Sequence, residues 1–164
     1  MKFGFGEVGI FDKTYERTVL QIEGTIRVEG KASIGHGSRV VVGSDGILTL
    51  GDHFISTAAM NLICWKDITI GHDVTVSWNT LIMDTDFHEI VNMETGKAYE
   101  KTKPIRIGSN VWLCTRSVIL KGSVVPNGCI VGAGALVSKQ FNNENTIIAG
   151  NPAKEGKGGV TYRL

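Results

Sequence analysis

The sequence is poor in cysteine and in long apolar runs, and these absences exclude several classes of protein. It contains three cysteines, Cys64, Cys114 and Cys129, and no CxxC pair, so neither a disulfide framework nor a thiolate zinc site is expected. No stretch approaches the roughly 18 apolar residues of a membrane-spanning helix. The amino-terminal segment has Gly and Glu where a signal peptide would be apolar, so we predict a cytoplasmic protein without a membrane span.

An excess of charge is also missing. Seventeen basic residues stand against 16 acidic ones, and like charges do not form blocks, so binding to nucleic acid is not expected. The runs of Ala, Glu, Lys and Leu that build long helices are absent. Glycine, in contrast, is abundant, with 21 residues among 164. The composition therefore predicts a single domain of strands and turns.

Aliphatic residues recur every six positions. The longest unbroken series is Ile107, Leu113, Ile119, Val125, Val131 and Val137. A companion series, mostly of small residues, follows at a distance of four, at Val111, Ser117, Ser123, Cys129 and Ala135. Shorter series with the same spacing are Ile22, Val28, Ile34 and Val40, and then Ala58, Cys64, Ile70, Val76 and Ile82. The register slips between Val40 and Ala58, where we expect a bulge or a short insertion.

A six-residue period has a direct structural meaning. Five extended residues cover about 17 Å before a turn, and three such sides close a triangular coil. Residues 18 apart then lie in neighbouring coils at a spacing of about 4.8 Å. The predicted neighbours are Ile107 and Val125, Leu113 and Val131, and Ile119 and Val137. The fold class predicted is all-β, a parallel β-helix, with a β-sandwich as the structural alternative.

The period also divides the chain. It defines a repeat domain, residues 22–154, preceded by a cap or arm, residues 1–21, and followed by a tail, residues 155–164. It is lost after Ile82 and resumes at Ile107, so residues 84–104 form an excursion of a length that is usually functional or disordered. The excursion contains His88. The other histidines, His36, His53 and His72, fall at corners of the repeat and are expected to be exposed.

The chain resembles the hexapeptide-repeat acyltransferases, and among them the galactoside, maltose and polysaccharide O-acetyltransferases. The motifs are Ile34-Gly35, Ile70-Gly71, Ile107-Gly108, Val131-Gly132-Ala133-Gly134 and Ala149-Gly150-Asn151-Pro152-Ala153-Lys154. The resemblance implies a left-handed β-helix and a homotrimer with active sites between subunits. It also implies acetyl-CoA as the cofactor and a hydroxyl of a saccharide or surface-polysaccharide precursor as the acceptor.

The same resemblance indicates catalytic residues. Asp84-Thr85-Asp86-Phe87-His88 matches the segment on which the family carries its catalytic histidine, which implies that His88 is the general base. A neutral imidazole, with an ordinary pKa of about 6.5, can take the acceptor's hydroxyl proton during direct attack on the thioester. Either Asp84 or Asp86 is expected to orient the ring, and the sequence does not choose between them.

Binding residues follow from the same motifs. Trp112, in Asn110-Val111-Trp112, lies between two inward positions, so its ring is expected to point outward and to contact the acceptor together with Asn79. The residues expected to contact coenzyme A are Thr115, Ala133, Ser138 and Lys139. After Lys154 the chain departs from the family pattern with Glu155-Gly156-Lys157-Gly158-Gly159, so the resemblance assigns no nucleotide contact to the tail.

Other functions remain as alternatives. One is N-acetylation of an amino sugar, and another is a non-catalytic scaffold. A β-helical, carbonic anhydrase-like metal enzyme would need three converging histidines, whereas only His88 lies away from the corners, so no metal site is predicted. Cysteine catalysis is disfavoured because Cys64 and Cys129 take inward positions, where thiols are inert fillers.

Overall fold

The chain winds into a column of short strands. The computed structural model describes residues 1–6, 8–12 and 14–163. The strands are β1 (Lys2–Phe3), β2 (Val19–Ile22), β3 (Thr25–Val28), β4 (Ala32–Ile34), β5 (Arg39–Val42), β6 (Ile47–Leu50), β7 (Phe54–Ser56), β8 (Asn61–Cys64), β9 (Asp67–Ile70), β10 (Thr75–Val76), β11 (Leu81–Met83), β12 (Ile105–Ile107), β13 (Trp112–Leu113), β14 (Val118–Leu120), β15 (Val124–Val125), β16 (Ile130–Val131), β17 (Leu136–Val137), β18 (Thr146–Ala149) and β19 (Lys154–Gly158). In the part of the chain so described, no helix is long and apolar enough to cross a membrane.

The strands form three sheets that enclose one core. Sheet A has the order β1-β4-β7-β10-β13-β16-β18-β19, sheet B the order β17-β14-β11-β8-β5-β2, and sheet C the order β15-β12-β9-β6-β3. From β2 to β17 the chain visits the three sheets in rotation, and all strand pairs are parallel except that of β18 with β19. The predicted parallel β-helix is therefore confirmed, and the sandwich alternative is wrong. We call the corners between sheets the AB, BC and CA edges.

The aliphatic ladders lie where the period predicts them. Ile107 pairs with Val125, Leu113 with Val131 and Ile119 with Val137 in the strand registers. All six side chains are buried, as are the companions Val111, Ser117, Ser123, Cys129 and Ala135. Because alternate side chains of a strand point to opposite faces of the sheet, the aliphatic ladders and their companions fill the column, and the residues between them face outward.

The earlier coils are longer than the predicted 18 residues. Val40 pairs with Leu20 on one side and with Leu62 on the other, so successive coils here contain 20 and 22 residues. The flanking strands of sheets B and C are four residues long, whereas those of the last coil have two or three. The predicted insertion is confirmed at residues 43–46, a BC corner that closes with a hydrogen bond from the Gly46 N–H to the Gly43 carbonyl (2.8 Å).

One corner histidine is buried, contrary to the prediction that all three are exposed. His53 and His72 are exposed, but only 6% of His36 is exposed, so its expected exposure was wrong. The ring of Phe11, from the segment before the repeat, packs edge-on against His36 with centroids 5.8 Å apart. The repeat describes only how coils stack, so it could not reveal a corner that a non-repeat segment covers.

Candidate active site

The excursion begins with a buried carboxylate. Asp84 follows β11 and is 0% exposed. Its two oxygens accept hydrogen bonds from the backbone N–H groups of Trp65, Lys66 and Asp67 at 2.7, 2.8 and 2.9 Å. Trp65 and Lys66 form the BC corner of the preceding coil, and Asp67 begins β9. Asp84 therefore joins the first residue of the excursion to the column with charge-assisted bonds.

The excursion itself is an ordered hairpin, which we call the arm (residues 84–104). Its two sides meet through antiparallel bridges between Thr85 and Thr102 and between Val91 and Ala98. At its tip, the side-chain oxygen of Asn92 accepts the N–H groups of residues 94 and 95 at 3.0 and 2.9 Å. The arm is therefore a built element with its own backbone hydrogen bonds.

Side chains from the coils on either side hold the arm along the BC edge. The Phe87 ring packs edge-on against Trp65 with centroids 5.1 Å apart. In the coil that follows the arm, Lys121 pairs with Asp86 at 2.5 Å. Lys66, from the coil before it, donates to the Glu100 carboxylate at 3.0 Å, and this hydrogen bond lowers the pKa of Glu100.

His88 extends from the base of the arm. Phe87 adopts a positive φ of 59° and donates its N–H to the Thr85 hydroxyl (3.0 Å), and the N–H of His88 donates to the Asp86 carbonyl (2.6 Å). This tight turn leaves the His88 side chain exposed. Among the described residues, the imidazole makes no hydrogen bond, so both ring nitrogens are available to a substrate.

The structure gives the two candidate orienting carboxylates other partners. Both oxygens of Asp84 accept backbone hydrogen bonds at the Trp65 corner, and these three donors stabilise the buried carboxylate. An orienting role for Asp84 therefore stays a prediction. Asp86 pairs with Lys121 and contacts His88 through its backbone carbonyl. An orienting role for Asp86 stays a prediction.

The acceptor and cofactor candidates divide between two edges. Asn79, Thr115 and Ala133 occupy the AB edge in successive coils. They are linked there, because the Thr115 hydroxyl donates to the Trp78 carbonyl (2.9 Å) and the Gly134 N–H to the Thr115 carbonyl (3.1 Å). The other two cofactor candidates, Ser138 and Lys139, follow β17 and lie exposed at the BC edge.

Trp112 lies on the outer face of sheet A, as expected from its place between two inward residues. It is half-buried, and its indole Nε1–H donates to the Ser77 hydroxyl at 2.9 Å. In a three-sided column the BC edge lies opposite sheet A. The fold therefore brings Trp112 near the AB-edge residues of its own chain, while His88 extends from the opposite side.

Cys64 and Cys114 are poor nucleophiles. Burial, with a smaller contribution from the negative charge of Asp84, raises the pKa of the Cys64 thiol to about 12. Burial also raises the pKa of Cys114, which is half-buried. The thiolate is the reactive form, so the raised pKa lowers the reactivity of these two thiols. Among the described residues of one chain, no three His, Cys, Asp or Glu side chains cluster in a way that could hold a metal ion.

Sequence reasoning missed one residue beside the site. Tyr162, in the unassigned tail, packs against Trp112 with ring centroids 5.8 Å apart. Its hydroxyl donates to the Asp73 carbonyl at 2.8 Å. The one signal in the sequence was a lone aromatic residue in a polar, Gly-rich stretch, which does not reveal a contact 89 residues away.

Some known proteins with similar sequences are named as O-acetyltransferases and others as acetyltransferases. The chain is 26% identical over 140 residues to WbbJ of Escherichia coli K12, which is named as a lipopolysaccharide biosynthesis O-acetyl transferase; the match covers 80% of this chain and 71% of WbbJ. It is 29% identical over 108 residues to the galactoside O-acetyltransferase of the same strain, covering 64% of this chain and 51% of that enzyme. The chain thus spans about half the length of several curated relatives. No protein-family model matches it.

Solved structures agree with the fold. The polySia-specific acetyltransferase NeuO is 29% identical, with a TM-score of 0.59, over 85% of this chain and 59% of NeuO. A variant of AntD, an N-acyltransferase from Bacillus cereus solved with dTDP-4-amino-4,6-dideoxyglucose and coenzyme A, has a TM-score of 0.68 at 18% identity, over 90% of this chain and 80% of AntD. These structural likenesses confirm the left-handed β-helix fold. The sequence likeness to WbbJ and to the galactoside O-acetyltransferase agrees with the predicted resemblance to acyltransferases.

Proposed function

We propose that this chain, which has the fold and the sequence relatives of the hexapeptide-repeat acyltransferases, transfers an acetyl group from acetyl-CoA to a hydroxyl of a saccharide or surface-polysaccharide precursor. The observation that carries the proposal is the arm. Asp84 and the Trp65–Phe87 contact anchor its base to the column, and the turn at residues 85–88 holds the imidazole of His88 in solvent. The packing of the column does not require an arm that holds a histidine side chain in solvent.

The chemistry proposed is direct transfer. Neutral His88 accepts the proton of the acceptor hydroxyl while that oxygen forms a bond to the thioester carbon. The C–S bond then breaks, and the imidazolium returns the proton to the leaving sulfur. A backbone N–H or a similar donor stabilises the oxyanion between the two steps. The raised pKa of the Cys64 and Cys114 thiols favours this route over an acyl-cysteine.

The residues assigned to coenzyme A suit a thin, linear ligand. Ala133 and Gly134 are exposed at the AB edge, and open space surrounds the position where Gly134 would carry a side chain. The pantetheine chain can therefore approach the backbone closely. Thr115 adds a hydroxyl, Ser138 adds a second, and the exposed ammonium of Lys139 can pair with a phosphate. Acetyl-CoA supplies the activated acetyl group.

We further propose a homotrimer in which each site is shared. Because the BC edge is opposite sheet A, the His88 of one copy is directed away from its own Trp112 and Asn79. A neighbouring copy arranged around a threefold axis can present its sheet A face to that arm. The free thiols and the need for acetyl-CoA favour a reducing, cytoplasmic location.

The test measures acetyl transfer from acetyl-CoA to each of a panel of sugars, and the released coenzyme A is detected with a thiol reagent. We expect His88→Ala to lower kcat/KM by about 10²- to 10⁴-fold without changing the melting temperature, because the ring is exposed. His53→Asn is the matched control, since His53 is an exposed corner residue with a positive φ that Asn tolerates. Unchanged turnover by His88→Ala would remove the proposed base.

A further inference from the structure

The carboxy-terminal tail returns to the outer face of sheet A. β19 runs antiparallel to β18 at the edge of the sheet, and the Val160 N–H then donates to the Asn145 carbonyl at 3.0 Å. From there the chain crosses towards β10 and β13, where Tyr162 contacts residues 87 and 89 positions away in the sequence. The tail therefore covers part of the face that carries Trp112.

Tyr162 is fixed in position by polar and aromatic contacts. Its hydroxyl lies 2.8 Å from the Asp73 carbonyl and 3.3 Å from the Thr75 hydroxyl, and Thr75 beneath it is only 7% exposed. Its ring lies against Trp112 at an interplanar angle of 39°. Its contacts with Asp73 in the CA corner, with Thr75 on β10 and with the Trp112 ring give the Tyr162 side chain a defined orientation.

The polar atoms of this aromatic pair already have partners. The indole N–H of Trp112 is donated to Ser77, and the hydroxyl of Tyr162 is donated to Asp73. Both rings are nevertheless only half-buried. What the pair offers a ligand is therefore apolar ring surface, set at an angle, rather than new hydrogen bonds.

The position of the Trp112–Tyr162 pair in the fold relates it to the proposed acceptor site. Trp112 lies on β13, which leads directly to Thr115 at the AB edge, and Asn79 occupies the same edge one coil earlier. Sugar rings have one face lined by C–H groups, and such faces pack against aromatic side chains. Two angled rings on the sheet face that leads to the exposed Asn79 and the half-buried Thr115 suit a ligand with one apolar face and hydroxyls around its rim.

We propose that Tyr162 is a specificity-determining residue, which together with Trp112 forms an aromatic corner for the C–H face of a pyranose acceptor. This inference rests on the proposed function, since it names the acceptor side of that site. It implies that cyclic sugars bind better than linear polyols such as glycerol, because only a ring presents a flat apolar face to both aromatic side chains.

Calorimetric titration of methyl pyranosides into the full-length protein, in the absence of acetyl-CoA, measures this contact directly. We expect Tyr162→Ala to raise the Kd of the best-bound pyranoside about tenfold, and Tyr162→Phe, which keeps the ring, to raise it less than about threefold. Thr161→Ala, an exposed neighbour in the same tail, is the matched control and should leave Kd unchanged. Melting temperatures of all variants identify any that have not folded.

The outcomes separate this inference from the proposed function. An unchanged Kd in Tyr162→Ala, an equal loss in Tyr162→Phe, or a wild-type protein that binds no pyranoside would each overturn the aromatic corner. In turnover assays we expect the acceptor KM to rise about tenfold in Tyr162→Ala while the KM for acetyl-CoA stays constant. If the wild-type protein binds a pyranoside but releases no coenzyme A, the proposed function fails and the binding site stands.

Discussion

The column and the arm are stabilised in different ways. In the column, stacked aliphatic residues such as Leu113 and Ile119 are completely buried, and each is replaceable in kind by another apolar residue of similar size. In the arm, the side chains of Ile90 and Met93 are exposed, and the attachment depends on individual polar and aromatic contacts such as those of Asp84 and Phe87. The comparison indicates that repetition specifies the scaffold, whereas single residues position the candidate chemistry.

The experiment with the largest expected effect tests whether the arm of one copy completes the active site on the column of another. His88→Ala and Trp112→Ala should each have strongly reduced turnover, but trimers assembled from an equal mixture should regain about a quarter of wild-type turnover. The reason is that half of the arms and half of the sheet A faces remain intact, so one site in four combines both. The measurement is coenzyme A release after refolding the mixture together.

Each variant refolded alone is the control for this mixing experiment. If each site lies within one chain, every chain in the mixture still carries one defect, and activity stays at the level of the separate variants. That result would contradict the shared site, and it would leave the assignment of His88 to be judged by its own substitution.

Truncating a buried side chain anywhere in the column should lower the free energy of unfolding substantially. We expect Ile119→Ala to lower the free energy of unfolding by about 3 kcal/mol, because the cavity lies between Ile82 and Val137 of the neighbouring coils. Leu120→Ala, an outward and half-buried neighbour, should cost less than about 1 kcal/mol. Urea unfolding measures both, and equal losses would contradict the inward ladder.

At the base of the arm, the expected effect is smaller and local. Asp84→Asn keeps the shape but turns one acceptor into a donor facing backbone N–H groups, which should cost about 1 to 3 kcal/mol. Amide hydrogen exchange should accelerate in residues 85–103 more than in the column. Asp86→Asn, which loses only a partly exposed ion pair, is the control, with a cost below about 1 kcal/mol. Uniform acceleration across the column would show that Asp84 does not act on the arm specifically.

The sequence predicted the column in detail because its information is local and repeated. Alternation placed Leu113 inward and Trp112 outward, and the excursion with His88 was evident as a break in the period. Coil lengths of 20 and 22 residues escaped prediction, since strands of four residues keep the same inward alternation. The burial of His36, the corner contacts of Asp84 and the contact of Tyr162 depend on distant segments that no period encodes.

The smallest expected effect concerns the exposed ion pair between the arm and the column. Lys66 lowers the pKa of Glu100 by donating a hydrogen bond to it, with weaker effects from Lys103 and Lys121. A carboxyl whose pKa is lowered on folding contributes stability above its unfolded pKa, and loses that contribution as the pH falls through its folded pKa. Lys66→Gln should therefore return the pKa of Glu100 towards its ordinary value in a carboxyl NMR titration, whereas Lys97→Gln should not. The difference in the free energy of unfolding between Lys66→Gln and wild type should be present at neutral pH and vanish in acid. The destabilisation by Ile119→Ala should not depend on pH in this way, because that substitution involves no titrating group. A Glu100 pKa that is the same with and without Lys66 would show that this contact does not hold the arm against the column.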